Sequence, residues 1–348
     1  MEKLAVSISL MQYLGKELLN RRVFIWGTGM YSPKGEALLE YLNITEWDYI
    51  DKAEKMQKSG YKNRKVYSIQ EALQTNDCFI CISVLHSDLL AKELEDNGRK
   101  ELEDFVSVTK WELYDYFFRS FGGASYSKFI HKIHLENFGE SGYGFSVCSE
   151  GYSKRDSILV YSFGIGENIS FSQELSNKYN QAEIYAFDPT PKAIKFVEEY
   201  DKKKLVHFKF YEFGLAEIDG MQKFYLPKDK NYVSGSARCN YSVDENHFIE
   251  VQMYTLKKIL ELLEHNHIDL LKMDIEGSEF AVIPEVLKSQ IPIEQICVEL
   301  HDRLIENGDK ERKMLLDLLY KNDYALICMS ESGEELTFMR KEKLMCFQ

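Results

Sequence analysis

Ile158-Leu159-Val160-Tyr161-Ser162-Phe163-Gly164-Ile165-Gly166-Glu167-Asn168 is the stretch whose reading decides the fold. A short apolar, β-branched and aromatic run bounded by glycine reads as a strand buried on both faces. Its two glycines permit a tight turn and leave a bare backbone that a ligand can approach closely. The next apolar run, 183–187, ends at Asp188 and is followed by Pro189-Thr190-Pro191. Proline suits the first turn of a helix, so the chain turns at Asp188 and enters one. Strand, glycine turn, helix and a second strand ending in an acid make a doubly wound α/β unit. Asp188 follows Gly164 by 24 residues. There its carboxylate is placed to accept hydrogen bonds from ribose hydroxyls, an arrangement that serves NAD and S-adenosylmethionine alike.

Downstream, Ile268-Asp269-Leu270-Leu271-Lys272-Met273 reads as a further strand running into Asp274-Ile275-Glu276-Gly277-Ser278-Glu279. Another, over 295–300, ends in Glu299-Leu300-His301-Asp302. Ligands bind beyond the carboxyl ends of parallel strands, so Asp274, Glu276, Glu299 and His301 are candidates for one cleft. Glu299 and His301 alternate and therefore share one side of their strand. Between them and the glycine turn, 223–226 reads as a short strand and 231–246 as a polar loop containing Arg238. Loops of that length usually serve a function, and this one is a candidate lid over an acceptor. Leu256, Ile259, Leu260 and Leu263 fall on one helical face, as do Met314, Leu315, Leu318 and Leu319. The closing strands are expected over 324–329 and 336–339.

Upstream, the pattern recurs on a smaller scale. Val23-Phe24-Ile25-Trp26 is a strand, Gly27-Thr28-Gly29 a turn and 34–42 a helix. A second strand over 47–50 ends at Asp51, and a third covers 78–84. With Ser32 at the third glycine position, Gly27 and Gly29 make only a degenerate dinucleotide fingerprint. This unit is loosely similar, over about 23–106, to nucleotide-binding-like domains fused to sugar-modifying enzymes. Cys78 and Cys81 sit three apart on a strand, point to opposite faces and read as buried core residues. The stretch 109–133 reads as helical and carries Trp111, Tyr114, Tyr116, Phe117, Phe118 and Phe121, an interdomain packing stripe broken at Gly122-Gly123. The organisation expected is a small Rossmann-like domain over 1–108, an aromatic helical linker over 109–124 and a larger domain over 125–348.

Composition limits the function. The 348 residues favour two domains. A formal charge of −13 argues against a nucleic-acid partner, which needs clustered Lys and Arg. No apolar run approaches the roughly 20 residues of a membrane span, and 1–20 reads as an amphipathic helix. Seven scattered cysteines fit a reducing cytoplasm.

Four segments together resemble the FkbM-type methyltransferase family: Ser162-Phe163-Gly164-Ile165-Gly166-Glu167, Ala186-Phe187-Asp188-Pro189-Thr190, Phe213-Gly214-Leu215-Ala216, and Leu271-Lys272-Met273-Asp274-Ile275-Glu276-Gly277-Ser278-Glu279. Tyr254-Thr255-Leu256 and Val298-Glu299-Leu300-His301 match it as well. The likeness spans about 157–301, and the block L-K-x-D-x-E-G-x-E is its most specific part. It implies a Rossmann-like class I fold, with a seven-stranded, mostly parallel sheet, and S-adenosylmethionine across the strand tips. It also implies O-methylation of a sugar, polysaccharide precursor or secondary metabolite. The cofactor residues it points to are Phe163, Gly164, Gly166, Glu167, Asn168, Asp188, Pro189, Thr190, Gly214, Leu215 and Asp274. The family usually carries an acid two residues before the first glycine. This chain has Ser162 there, with Glu167 as the nearby substitute, and Asn168 replaces the third glycine.

Transfer of a methyl group from a sulfonium needs alignment and exclusion of water, and a sugar hydroxyl needs help in losing its proton. His301 is the expected base because a neutral imidazole accepts protons near pH 7. Asp274 and Glu299 complete the expected catalytic set. Asp274, Glu299 and His301 also offer the oxygen and nitrogen ligands of a divalent cation, which is allowed but not expected. Two other readings stay open. One is a NAD(P)-dependent oxidoreductase using Gly27, Gly29 and Asp51; the other is a non-catalytic binding or assembly protein. The acceptor and a homo-oligomeric state are not fixed by the sequence.

Overall fold

The computed structural model describes residues 14, 18, 20–75, 77–84, 87–110, 116, 133–140, 144–200, 207–228, 235–330 and 333–344. Two compact units divide the chain: Met1–Tyr126 with Glu331–Gly333, and Ser127–Ser330 with Glu334–Gln348. Most of the expected N-terminal helix, nearly all of the aromatic stretch 109–133 and Gly122-Gly123 lie outside the described residues. Among the described residues, no helix is long and apolar enough to cross a membrane.

The first unit is a five-stranded parallel sheet. Its strands are β1 (Arg22–Trp26), β2 (Asp48–Ile50), β3 (Val66–Tyr67), β4 (Cys78–Ile82) and β5 (Phe105–Ser107), in the order β3-β2-β1-β4-β5. β1 and β4 lie side by side and are buried almost throughout, which accounts for their unbroken apolar sequences. Cys78 and Cys81 are free and buried in β4. The expected third strand is the fourth; Val66-Tyr67, at two residues, is too short for a periodic signal.

The second unit holds the larger sheet. Its parallel strands are β8 (Ile158–Phe163), β9 (Ala182–Phe187), β10 (Phe208–Tyr211), β14 (Ile268–Met273) and β15 (Ile293–Glu299). β16 (Tyr324–Met329) and β17 (Glu335–Arg340) close it, with β17 antiparallel to both of its neighbours. The order is β10-β9-β8-β14-β15-β17-β16, so the seven-stranded, mostly parallel sheet is as the resemblance implied. Val160 and Ile184 on one face pack against Phe171 and Leu175 of the helix Ser170–Lys178. A hairpin, β6 (Leu135–Phe138) with β7 (Phe145–Cys148), covers the same core.

A three-stranded sheet projects from this body: β11 (Gly214–Leu215), β12 (Gly220–Pro227) and β13 (Val243–Tyr254). The expected polar loop 231–246 is thus partly strand, because Val243–Asn246 open β13; residues 229–234 lie outside the described set. The first half of β13 escapes sequence reading because residues 245–248 are exposed in succession, whereas Ile249, Val251 and Met253 alternate with Glu250 and Gln252. In the helix Gly308–Lys321 the buried face is Leu315, Leu316 and Leu319, and Met314, expected inside, is 54% exposed.

Candidate active site

The tips of β8 and β14 touch. Gly164 sits at φ +70°, and a Cβ there would lie 1.7 Å from the Asp274 carbonyl oxygen. Only glycine fits both the left-handed backbone and this approach. The contact draws the glycine turn and the Asp274 loop to the same place. Asp274 N–H donates to the Phe163 carbonyl (3.3 Å) and Gly164 N–H to that of Phe187 (3.0 Å), so the ends of β8, β9 and β14 are tied together.

Asp188, buried at the tip of β9, governs the turn. One carboxylate oxygen accepts from Gly166 N–H (2.9 Å), and the other from the amide and hydroxyl of Thr190 (2.9 and 2.6 Å). Burial raises its pKa, and these bonds and Lys272 act against that rise. Thr190 then caps the helix Pro191–Glu199 through Ala193 N–H, with proline at its start as expected.

β14 contributes Lys272, 5% exposed and opposite Ser162 in the parallel register. Its ammonium donates to the carbonyls of Gly164 (2.8 Å) and Phe163 (3.4 Å) and to Asp274 Oδ2 (3.3 Å). A buried cation thus stands beside the position where the family usually has an acid, and it bonds backbone carbonyls and Asp274 instead.

Beyond β14 the block Asp274–Glu279 folds onto its own last residue. Glu279, fully buried, accepts from Ile275 N–H and Gly277 N–H (both 2.9 Å). Glu276 lies between them at φ +54°, an uncommon conformation for a side chain of its kind. Glu279 also holds His301 Nδ1 at 3.2 Å. On the other side of the ring, Nε2 faces Glu299 (3.3 Å), Glu276 (3.5 Å) and Asp274 (3.9 Å). Burial alone would depress this imidazole, but Glu279, Glu299 and Glu276 overcome that and push it up to about 12. Ringed by four carboxylates, His301, expected as the base, is held toward its protonated form.

The resulting cavity holds about 400 Å³, within the usual range for small-molecule sites. Every residue expected at the cofactor lines it: Phe163, Gly164, Gly166, Glu167, Asn168, Asp188, Pro189, Thr190, Gly214, Leu215 and Asp274. Of the expected catalytic set only Asp274 does; His301 and Glu299 stand behind it. Lys272, Glu276 and Ser278 line it too, as do Gly235 and Ala237 from the segment before β13. Lys272 was legible as part of the family block, but its burial against two carbonyls was not. Arg238, expected near the acceptor, is exposed and outside the lining. The ligand atoms of Asp274, Glu299 and His301 lie within 4.8 Å of one another, so the three expected cation ligands do converge.

The lining fits S-adenosylmethionine. An ionised carboxylate has about four acceptor sites, and Asp188 uses three, leaving one for a ribose hydroxyl. Gly214 fits tightly, since a Cβ there would fall 2.5 Å from the Met253 sulfur. In the first unit Gly27 and Gly35 have a packing reason, whereas Gly29 faces open space. A Cβ on Gly27 would strike Val84 at 2.7 Å and the Ser83 carbonyl at 2.8 Å, and one on Gly35 would crowd Ile25. Asp51 accepts from Thr28 N–H and hydroxyl (3.2 and 2.5 Å) and from Ala53 N–H (2.9 Å).

Among solved structures, the chain is similar to a methyltransferase FkbM from Methylobacillus flagellatus KT, at 11% identity and TM-score 0.34 over 96% of this chain and 94% of that one. It is also similar to M. jannaschii TYW2 in complex with AdoMet, at 13% identity and TM-score 0.24 over 59% and 86%. A putative transferase from Pyrococcus horikoshii gives 14% and 0.26 over 59% and 70%. These scores are too low to argue from. No curated protein matches the chain. The family comparison is decisive: the Methyltransferase FkbM domain matches residues 143–326, more than half of the chain and all of the lined cavity. The chain belongs to the FkbM family of S-adenosylmethionine-dependent methyltransferases.

Proposed function

We propose that this protein transfers the methyl group of S-adenosylmethionine to a hydroxyl of a sugar, a polysaccharide precursor or a related small metabolite. The observation that carries the reading is convergence. The Gly164–Gly166 turn, the Asp188 carboxylate and the Asp274 carboxylate all line one cavity. The cofactor, when bound, supplies a methyl group on a positively charged sulfur, which leaves as a neutral thioether and needs no proton.

The chain's own residues then have three tasks. Gly164, Gly166 and Asp188 hold the nucleoside end, with the remaining acceptor site of Asp188 directed at the ribose. Asp274 faces the cavity and takes the hydrogen bond of the acceptor hydroxyl, receiving its proton as the new carbon–oxygen bond forms. His301 and Lys272 flank Asp274, one at each oxygen, and fix where that carboxylate points. Alignment of donor and acceptor can contribute roughly 7–11 kcal/mol, and a positioned base about 10²–10⁴-fold in rate.

The hydroxyl reading is supported by the polar acceptor groups that line the cavity, Asp274 and Glu276. The test is incubation with methyl-tritiated S-adenosylmethionine and panels of sugars, sugar nucleotides, oligosaccharides and amines. Label in an alkali-stable ether is the expected outcome. Label appearing only on amines would remove the O-methylation reading.

A further inference from the structure

The wall of the cavity formed by Gly235 and Ala237 belongs to a segment, 235–242, whose end is held by Lys228, through its N–H to the Ser242 carbonyl (3.0 Å) and its Nζ to the Tyr241 carbonyl (2.8 Å), and which is fastened at three further points. Ser236, fully buried, exchanges two backbone hydrogen bonds with Tyr225 of β12 (2.8 and 3.0 Å). Tyr241 N–H donates to the Leu304 carbonyl (3.0 Å), just beyond His301. Between these, the Asn240 carboxamide donates from Nδ2 to the Glu276 carbonyl at 2.9 Å. Its Oδ1 accepts from the amide and hydroxyl of Ser242 (2.9 and 2.7 Å), and two donors on Oδ1 fix which end of the amide faces Glu276.

The Glu276 bond matters because of the backbone it holds. A glutamate at φ +54° persists only where its surroundings overdetermine it. Glu279 grips the amides on either side, at Ile275 and Gly277, from within the same loop. The grip on the carbonyl comes from 36 residues away and from a different wall of the cavity. Release of that carbonyl lets the 276–277 peptide turn over, which carries Gly277 N–H off Glu279 and the Glu276 side chain off His301.

We propose that Asn240 is a positioning residue for the acceptor end of the cavity, clamping Glu276 in its left-handed conformation and coupling the 235–242 wall to the loop that presents Asp274 and Glu276. Calling this the acceptor end rests on the methyltransferase reading; the clamp itself does not.

The test compares Asn240→Asp with Asn240→Ala in the full chain. Aspartate keeps both accepting bonds to Ser242 and turns the donation to Glu276 into a carboxylate oxygen facing that carbonyl, so it breaks the clamp while the wall keeps its own bonds. Hydrogen exchange is read by mass spectrometry on peptides covering 271–280 and 238–254. In Asn240→Asp the 271–280 peptide exchanges about tenfold faster or more, while the 238–254 peptide keeps its wild-type rate. In Asn240→Ala both accelerate. Affinity for S-adenosylhomocysteine, measured alongside by calorimetry, stays within about twofold in both variants, because no residue that holds the nucleoside changes. Unchanged exchange over 271–280 in Asn240→Asp, or equal acceleration of both peptides, overturns the clamp. Failure of the wild-type chain to bind S-adenosylhomocysteine overturns the methyltransferase reading instead, and leaves the exchange result to stand alone.

Discussion

Replacing His301 by glutamine removes a cation that Glu276, Glu279 and Glu299 share, and its effect on stability has a pH signature. At pH 7 the variant leaves a cluster of carboxylates, one of them fully buried, without its counter-charge. Breaking a buried pair in this way costs about 3–5 kcal/mol. The pH dependence follows from the imidazole, whose pKa rises from 6.5 to about 12 on folding. A raised pKa means that the folded state binds the extra proton. The contribution is therefore complete below pH 6.5 and is lost as pH climbs toward 12. Within that window the folded state holds one proton more than the unfolded state, so the contribution falls by about 1.36 kcal/mol per pH unit, or about 2.7 kcal/mol between pH 7 and pH 9. Urea unfolding followed by far-UV circular dichroism at both pH values measures it. Tryptophan fluorescence is unsuitable because Trp26, Trp47 and Trp111 all lie in the first unit. The wild type loses about 2.7 kcal/mol more than His301→Gln between pH 7 and 9. Equal pH slopes in the two proteins would refute the imidazolium assignment and return His301 to the role of a neutral base.

Three further outcomes follow from the same geometry. Gly164→Ala, with a Cβ 1.7 Å from the Asp274 carbonyl, pushes β8 and β14 apart at their tips; expect a loss of stability of about 3 kcal/mol or more by urea unfolding, and no measurable S-adenosylhomocysteine binding. Lys272→Met leaves the Gly164 carbonyl and Asp274 Oδ2 without their donor, so calorimetry should find S-adenosylhomocysteine bound about tenfold more weakly or worse. With the imidazolium already supplying positive charge among Asp274, Glu276 and Glu299, dialysis against EDTA should leave methyl transfer unchanged. Activity that returns only on adding Mg²⁺ or Mn²⁺ would make Asp274, Glu299 and His301 metal ligands.

What could be read from the sequence was set by how local each signal is. β8 and β9 were legible because strands buried on both faces are unbroken apolar runs, and the turn after each is marked by glycine or proline within a few residues. The place of Asp188 followed from the same run of sequence, and so did the residues lining the cavity around the glycine turn. The first half of β13 was not legible, since the exposed residues 245–248 carry no alternation. The state of His301 was hidden for another reason. Its sequence neighbours suggest a histidine at a strand tip, open to the cleft. The carboxylate that holds its Nδ1, Glu279, comes from the loop after β14 and meets it only through the folding of that loop. Likewise the bond from Asn240 to Glu276 joins two loops that nothing in their sequences pairs. Charge environments and long-range clamps depend on tertiary contacts, and periodicity cannot report them.

The central claim is that the cavity at the tips of β8, β9 and β14 binds the donor through the glycine turn and Asp188. Calorimetric titration of the full chain with S-adenosylhomocysteine, repeated on Asp188→Ala after its fold is checked by circular dichroism, tests it most directly. Saturable binding by the wild type and none by the folded variant is the expected result. No binding by the wild type at millimolar ligand, or equal binding by both proteins, would contradict it.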